Sequence, residues 1–158
     1  MREKGEVDGV MSTMILEKYN IRDTKKLYSD INNKVLRGME IITYNAIKRN
    51  KPEEVSHIKT ETLDYICDTH FIFNPVKVFD EELNIWTVSV DEINIYGEGA
   101  TIDTAVQNLL ESIQEFESIY LERIDLFSQV ESIEKQLYMR RIIRCEGNKE
   151  KLRKVLGL

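Results

Sequence analysis

Between Ile85 and Glu122 the spacing of apolar residues changes from two to between three and four. Trp86, Val88 and Val90 alternate with Thr87 and Ser89, which predicts a strand with one buried face and places Trp86 in the core. The apolar beat returns at Ile93 and Ile95, and Gly97 and Gly99 then predict a tight backbone turn. Thr101 stands where a helix N-cap would accept a backbone N–H. From there Ile102, Ala105, Val106, Leu109, Leu110, Ile113, Phe116 and Tyr120 form one apolar stripe, predicting about five turns of amphipathic helix.

The pattern upstream is shorter-ranged. Met14, Ile15 and Leu16 open an apolar stretch, and Asp23 or Thr24 can cap a helix striped by Leu27, Tyr28, Ile31 and Val35. Gly38 is placed to stop that helix, and Met39 to Thr43 then reads as a strand. A polar, basic turn over Asn45 to Pro52, a strand over Val55 to Ile58 and a short helix from Thr60 through Tyr65 and Ile66 complete this part. His70 to Pro75 is a link, and Pro75 disfavours a central strand there. Val76, Val78 and Phe79 predict a further strand, turned at Asp80-Glu81-Glu82 to pair with Trp86–Val90 as a hairpin.

Beyond Glu122 the stripe continues through Leu126, Phe127, Val130, Ile133, Leu137 and Tyr138, which predicts a second amphipathic helix running to about Arg144. Gly147-Asn148 stops it, and Leu152, Val155 and Leu156 mark a last helical turn. The expected fold class is therefore α+β: a small sheet-and-helix head, a strand–strand–helix unit, and C-terminal helices. The expected divisions are 1–13 (a flexible leader), 14–70, 71–123 and 124–158.

Composition adds limits to this picture. The chain has 158 residues, 42% hydrophobic and 32% charged, a globular composition with no run of apolar residues long enough to span a membrane and no secretory signal. A cytoplasmic location and reduced thiols at Cys67 and Cys145 are expected. The net charge of −6 is unevenly spread: residues 1–60 carry 12 Lys/Arg against 9 Asp/Glu, a balance of +3, and residues 61–158 carry 10 against 19, a balance of −9. A basic head permits a nucleic-acid surface. The tail is basic again, with Arg140, Arg141, Arg144, Lys149, Lys151, Arg153 and Lys154. Such an end suits a partner-binding helix, a membrane-surface helix or a solvated face, and the absence of Trp and Phe beside the charges argues against the membrane.

Catalytic chemistry is thinly supplied. His57 falls in a strand, and Cys67 with His70 forms Cys-x-x-His without further zinc ligands. Gly97-Glu98-Gly99 lacks the rest of a dinucleotide fingerprint, and Asp91, Glu92, Glu98 and Asp103 read as turn or solvated carboxylates. No enzyme, no metal and no cofactor are expected.

Two resemblances give these elements a context. The strand pair, the Gly99-Ala100-Thr101 turn and the Asp103-Thr104-Ala105 opening of the long helix resemble the HicB-like antitoxin domain, a fold similar to a shortened ribonuclease H. The order strand, helix, strand, strand, helix over about residues 14–67, with Arg37-Gly38 followed by Glu40-Ile41-Ile42-Thr43, resembles the N-terminal domain of Phd/YefM antitoxins. There, dimers bind operator DNA. Together the resemblances imply an antitoxin of a RelE/RelB-type system. Such a protein would be a homodimer that neutralises a cytoplasmic ribonuclease toxin and represses its own operon by binding operator DNA. The implied DNA contacts are Arg22, Lys25, Lys26, Lys48 and Arg49. The expected toxin-binding segment is the tail, through Tyr138, Arg140, Arg141, Arg144, Leu152, Arg153 and Leu156. The alternative is a non-catalytic small-ligand or protein-binding module that retains the fold.

Overall fold

The computed structural model of the chain describes residues 17–45 and 53–158. These residues form a mixed α+β fold of six helices and two three-stranded sheets. They divide into two compact units at Leu63, inside helix α2. The leader expected over 1–13 and most of the turn expected over Asn45 to Pro52, including Lys48 and Arg49, lie outside the described residues.

In the first unit β1 (Glu17–Asn20) runs parallel to β2 (Ile41–Tyr44), and β3 (Glu54–His57) pairs antiparallel with β2. Parallel neighbours need a crossover, which α1 (Ile21–Leu36) provides. The helix begins earlier than the expected caps at Asp23 or Thr24. Asn20 is the N-cap, its side chain accepting from the Arg22 N–H at 3.0 Å. Asp23 therefore falls in the first turn, where its charge suits the positive end of the helix, and Thr24 donates to the Ile21 carbonyl at 2.7 Å. Gly38 ends α1 as expected, at φ +93, its N–H donating to the Val35 carbonyl at 2.9 Å. Ile31, Val35 and Ile41 are buried, with Tyr19 and Met39 against them. Leu27 and Tyr28 are exposed, Tyr28 at 70%, so this unit covers only half of the helix's apolar stripe.

In the second unit the last part of α2 (Thr60–His70) leads into an antiparallel meander of β4 (Val76–Asp80), β5 (Ile85–Val90) and β6 (Ile95–Gly99). Both turns close on asparagines in the left-handed region, Asn84 and Asn94. The Asp80 carboxylate shapes the first by accepting the N–H groups of Glu82 and Leu83, each at 2.9 Å. Val88 and Val90 are fully buried against α3 (Ile102–Glu122), and half-buried Trp86 packs on the same core and against Phe79. Thr101 caps α3, accepting from the Thr104 N–H at 3.2 Å.

Gly97 and Gly99 are not a turn; they lie within β6. A Cβ on Gly97 would sit 2.2 Å from the Leu109 nitrogen and 2.4 Å from the Ala105 carbonyl oxygen, and one on Gly99 would sit 2.6 Å from the Ala105 nitrogen. The glycines are there because strand and helix backbones approach too closely for any side chain.

The long second helix expected after Glu122 is in fact two. α4 (Ile124–Val130) ends at Glu131, and Ser132 caps α5 (Ile133–Ile143) by accepting the Lys135 N–H at 3.1 Å. Asn148 then caps α6 (Lys149–Leu156), and Gly157 closes it at φ +75. One core runs from Phe73 through β5, β6 and α3 to Met139, Ile142, Leu152 and Leu156. Glu117 sits on the buried face of α3 with no hydrogen-bond partner among the described residues, and burial pushes its carboxyl pKa up.

Gly97→Ala is expected to destabilise the second unit by about 3 kcal/mol or more, because the α3 backbone at Ala105 and Leu109 must yield to the new methyl. Gly38→Ala meets open space and carries only the left-handed backbone penalty of about 1–2 kcal/mol. Denaturant titration of both variants checks this, and similar losses would refute the close-approach argument. Glu117→Gln should stabilise the fold modestly at neutral pH, since the charged form of a carboxyl on the buried face of α3 loses hydration and has no cation bonded to it among the described residues. A raised folded-state pKa means the wild type binds its proton more readily when folded, so its penalty fades as pH falls from that pKa to the ordinary carboxylate range. The advantage of Gln should therefore shrink towards acid pH; a constant difference across pH would count against the ionised state as its source.

Candidate functional site

The first unit divides its cations into paired and free. Lys18 bonds Glu54 at 2.8 Å, and Lys34 bonds Glu17 at 2.6 Å and Asp30 at 3.3 Å. The bond from Lys34, with the Tyr19 hydroxyl donating to the same carboxylate, holds the Glu17 pKa down, and the Lys34 ammonium is correspondingly raised. These lysines are occupied within the fold. Arg22, Lys25 and Lys26 are exposed and have no ion pair among the described residues. At about 100° per residue, Arg22 projects from the side of α1 opposite buried Ile31, with Lys25 and Lys26 one turn later on the same face. Arg37, which was not among the expected DNA contacts, is exposed and unpaired among the described residues at the other end of α1.

The tail residues are differently placed. Tyr138, Leu152 and Leu156 belong to the core of the second unit and offer no free apolar face. Phe71 and Phe73 pack on the Tyr138 ring with centroids at 5.5 and 5.0 Å. Arg140 and Arg144 share the Asp64 carboxylate at 2.6 and 3.0 Å. Arg141 bonds Asp68 at 3.1 Å and donates to the Phe71 carbonyl at 2.6 Å. Arg140, and after it Arg144, hold the Asp64 carboxyl below the ordinary range. Three of the tail's arginines thus clamp the end of α2 and the link after it, leaving Arg153 exposed and unpaired among the described residues.

Asp64 and Asp68 are the partners that sequence reasoning missed. They stand four apart on one face of α2, complementary to Arg140, Arg141 and Arg144 on α5 and its end, a match visible only once the two helices are known to pack. The cluster, with Lys151, Lys154, Cys145 and Val155, lines a recess of about 270 Å³. Cys145 is no activated thiolate, because burial pushes its thiol pKa up.

The remaining candidates for chemistry have structural partners or stand apart. His57 Nε2 is 3.0 Å from the Thr43 hydroxyl, across the β2–β3 pair. Asp91 accepts from the Ser89 hydroxyl at 3.0 Å, and Glu92 accepts the Asn74 N–H at 2.9 Å, while Glu98 and Asp103 are exposed. Among the described residues no group of three or more His, Cys, Asp or Glu is arranged to hold a metal ion, and no helix is long and apolar enough to cross a membrane.

Residues 14–157 match the PHD_like family, described as the antitoxin of toxin–antitoxin, RelE / RelB, TA system. A crystal structure from Syntrophomonas wolfei subsp. wolfei, described as the antitoxin part of a toxin/antitoxin system, has a similar fold. Its TM-score is 0.61 at 14% identity, over 89% of this chain and 96% of that one. No curated protein sequence matches the chain. A family match that takes in nearly every residue, from before β1 to the end of α6, shows that this chain belongs to the PHD_like antitoxins of RelE/RelB toxin–antitoxin systems.

Proposed function

We propose that the chain neutralises a ribonuclease toxin in the cytoplasm by direct binding, and represses its own operon by binding operator DNA as a homodimer. Family membership supports the toxin half of this reading. On this reading the first unit is a Phd/YefM-like head that carries the DNA contacts, and β4–β6 with α3 is a HicB-like unit.

The observation that carries the DNA half is the free face of α1. Arg22, Lys25 and Lys26 lie together on it, opposite the buried side, while neighbouring Lys18 and Lys34 are neutralised within the fold. Cations that the fold leaves unpaired are available to phosphates. Two of the three are lysines near the positive end of the helix, where a cation is unfavourable for the helix itself and better accounted for by an external anion. Dimerisation is supported by the exposed half of the same helix's apolar stripe. Tyr28 stands at a cleft of about 310 Å³ lined by Ile31, Val35 and Ile58, a surface a second copy would cover.

The test is affinity for DNA from upstream of the chain's own reading frame, measured by fluorescence anisotropy across a salt series. The Arg22→Ala/Lys25→Ala/Lys26→Ala variant should bind more weakly, and the slope of log affinity against log salt should be shallower by about 3 per protomer, one phosphate contact for each residue. An unchanged slope would remove this face from the interface.

A further inference from the structure

α4 is an amphipathic helix whose apolar side is divided between the protein and solvent. Phe127 fixes which side faces inward: its ring stacks on Tyr120 with centroids 4.9 Å apart and meets Phe116 edge-on at 5.7 Å. Leu126 and Val130, one turn apart, share another side, and Ile133 opens α5 just past the extended Glu131–Ser132 corner. These three are 51%, 66% and 77% exposed, and no residue of α4 is fully buried.

The ridge is preformed. Its corner is tied by Lys135 bonded to Glu131 at 2.8 Å, by Gln136 donating to the Glu131 carbonyl at 3.1 Å, and by the Ser132 cap. A surface already held in shape loses little conformational freedom on binding.

The charges around it select among occupants. Glu122, Asp125 and Glu134, close to these residues in sequence, are exposed and unpaired among the described residues, with Arg123 the opposing cation on the same stretch. Nucleic acid and anionic lipid are repelled by such a rim. A second copy would bring carboxylate against carboxylate, because a two-fold interface sets a patch against itself. A ribonuclease needs a basic surface to hold its substrate's phosphates, and that charge complements this rim.

We propose that Leu126, Val130 and Ile133 form the ridge by which the chain holds its toxin, and that the toxin offers an apolar groove flanked by Lys and Arg. This rests on the antitoxin reading and assigns the toxin contact to the α4–α5 corner, away from the Arg140–Asp64 clamp. Acidic residues around the ridge speed encounter and set orientation, while the apolar triad supplies the buried centre.

The probe is the product of the reading frame adjacent to the chain's own, titrated by calorimetry with the full chain. Leu126→Ser/Val130→Ser/Ile133→Ser should weaken binding by about 100-fold or more, as expected for the centre of an interface, with the thermal transition and the DNA salt slope unchanged. Glu122→Lys/Asp125→Lys/Glu134→Lys provides a second, independent variant that leaves the apolar residues intact; it should slow association and flatten its salt dependence. Wild-type affinity in both variants would overturn the ridge and leave the antitoxin reading standing. Failure of the wild-type chain to bind the probe would overturn both. If the serine variant instead abolishes self-association of the chain alone, the occupant is a second copy and the proposal falls.

Discussion

The second unit depends on the close approach of β6 to α3. Gly97 and Gly99 bring strand backbone against the helix at Ala105 and Leu109, and Ala105 contributes the smallest side chain that still continues the apolar stripe. With the helix set that low on the sheet, Val88, Val90 and Ile93 on one side and Val106, Leu109, Leu110 and Ile113 on the other are buried in one core. α5 and α6 then pack into the same core beside a helix whose position is already determined. Met139, Ile142, Leu152 and Leu156 fill the remaining space.

Much of this was legible in the sequence because it follows from short-range rules. The period-2 run at Trp86–Val90, the cap at Thr101 and the stop at Gly38 each express one local requirement, and each element formed as read. The two glycines of β6 were misread because glycine has two uses. It permits a left-handed backbone and it leaves space for a neighbour, and a sequence alone does not say which is needed. The break between α4 and α5 was missed because the apolar stripe runs on across it, although Ser132 carried a cap signal.

The tail illustrates a different limit. The ion-pair partners of its arginines lay out of reach of a local reading, because Asp64 precedes Arg140 by 76 residues and Arg144 by 80. Charge balance is a property of the folded arrangement. The same accounting separates Lys18 and Lys34, occupied by Glu54 and Glu17, from Arg22, Lys25 and Lys26, which no described residue pairs. A protein that binds a partner keeps some charge and some apolar surface unsatisfied, and the outer face of α1 and the α4–α5 corner are among the places where this chain does so.

The clamp on Asp64 also has a temporal side. During synthesis β1, α1, β2 and β3 can associate as soon as they emerge, since all their pairings lie within the first unit. The meander can close on α3 once Tyr120 is out of the ribosome. Asp64 and the Phe71–Phe73 link must wait for α5, and the core remains open until α6 delivers Leu152 and Leu156. The nascent chain therefore holds a finished first unit and an unfinished second one while residues 124–158 are still being added. In that interval the part of the α3 apolar face that α5 and α6 will cover is exposed, which makes the second unit the part vulnerable to proteolysis on a stalled ribosome.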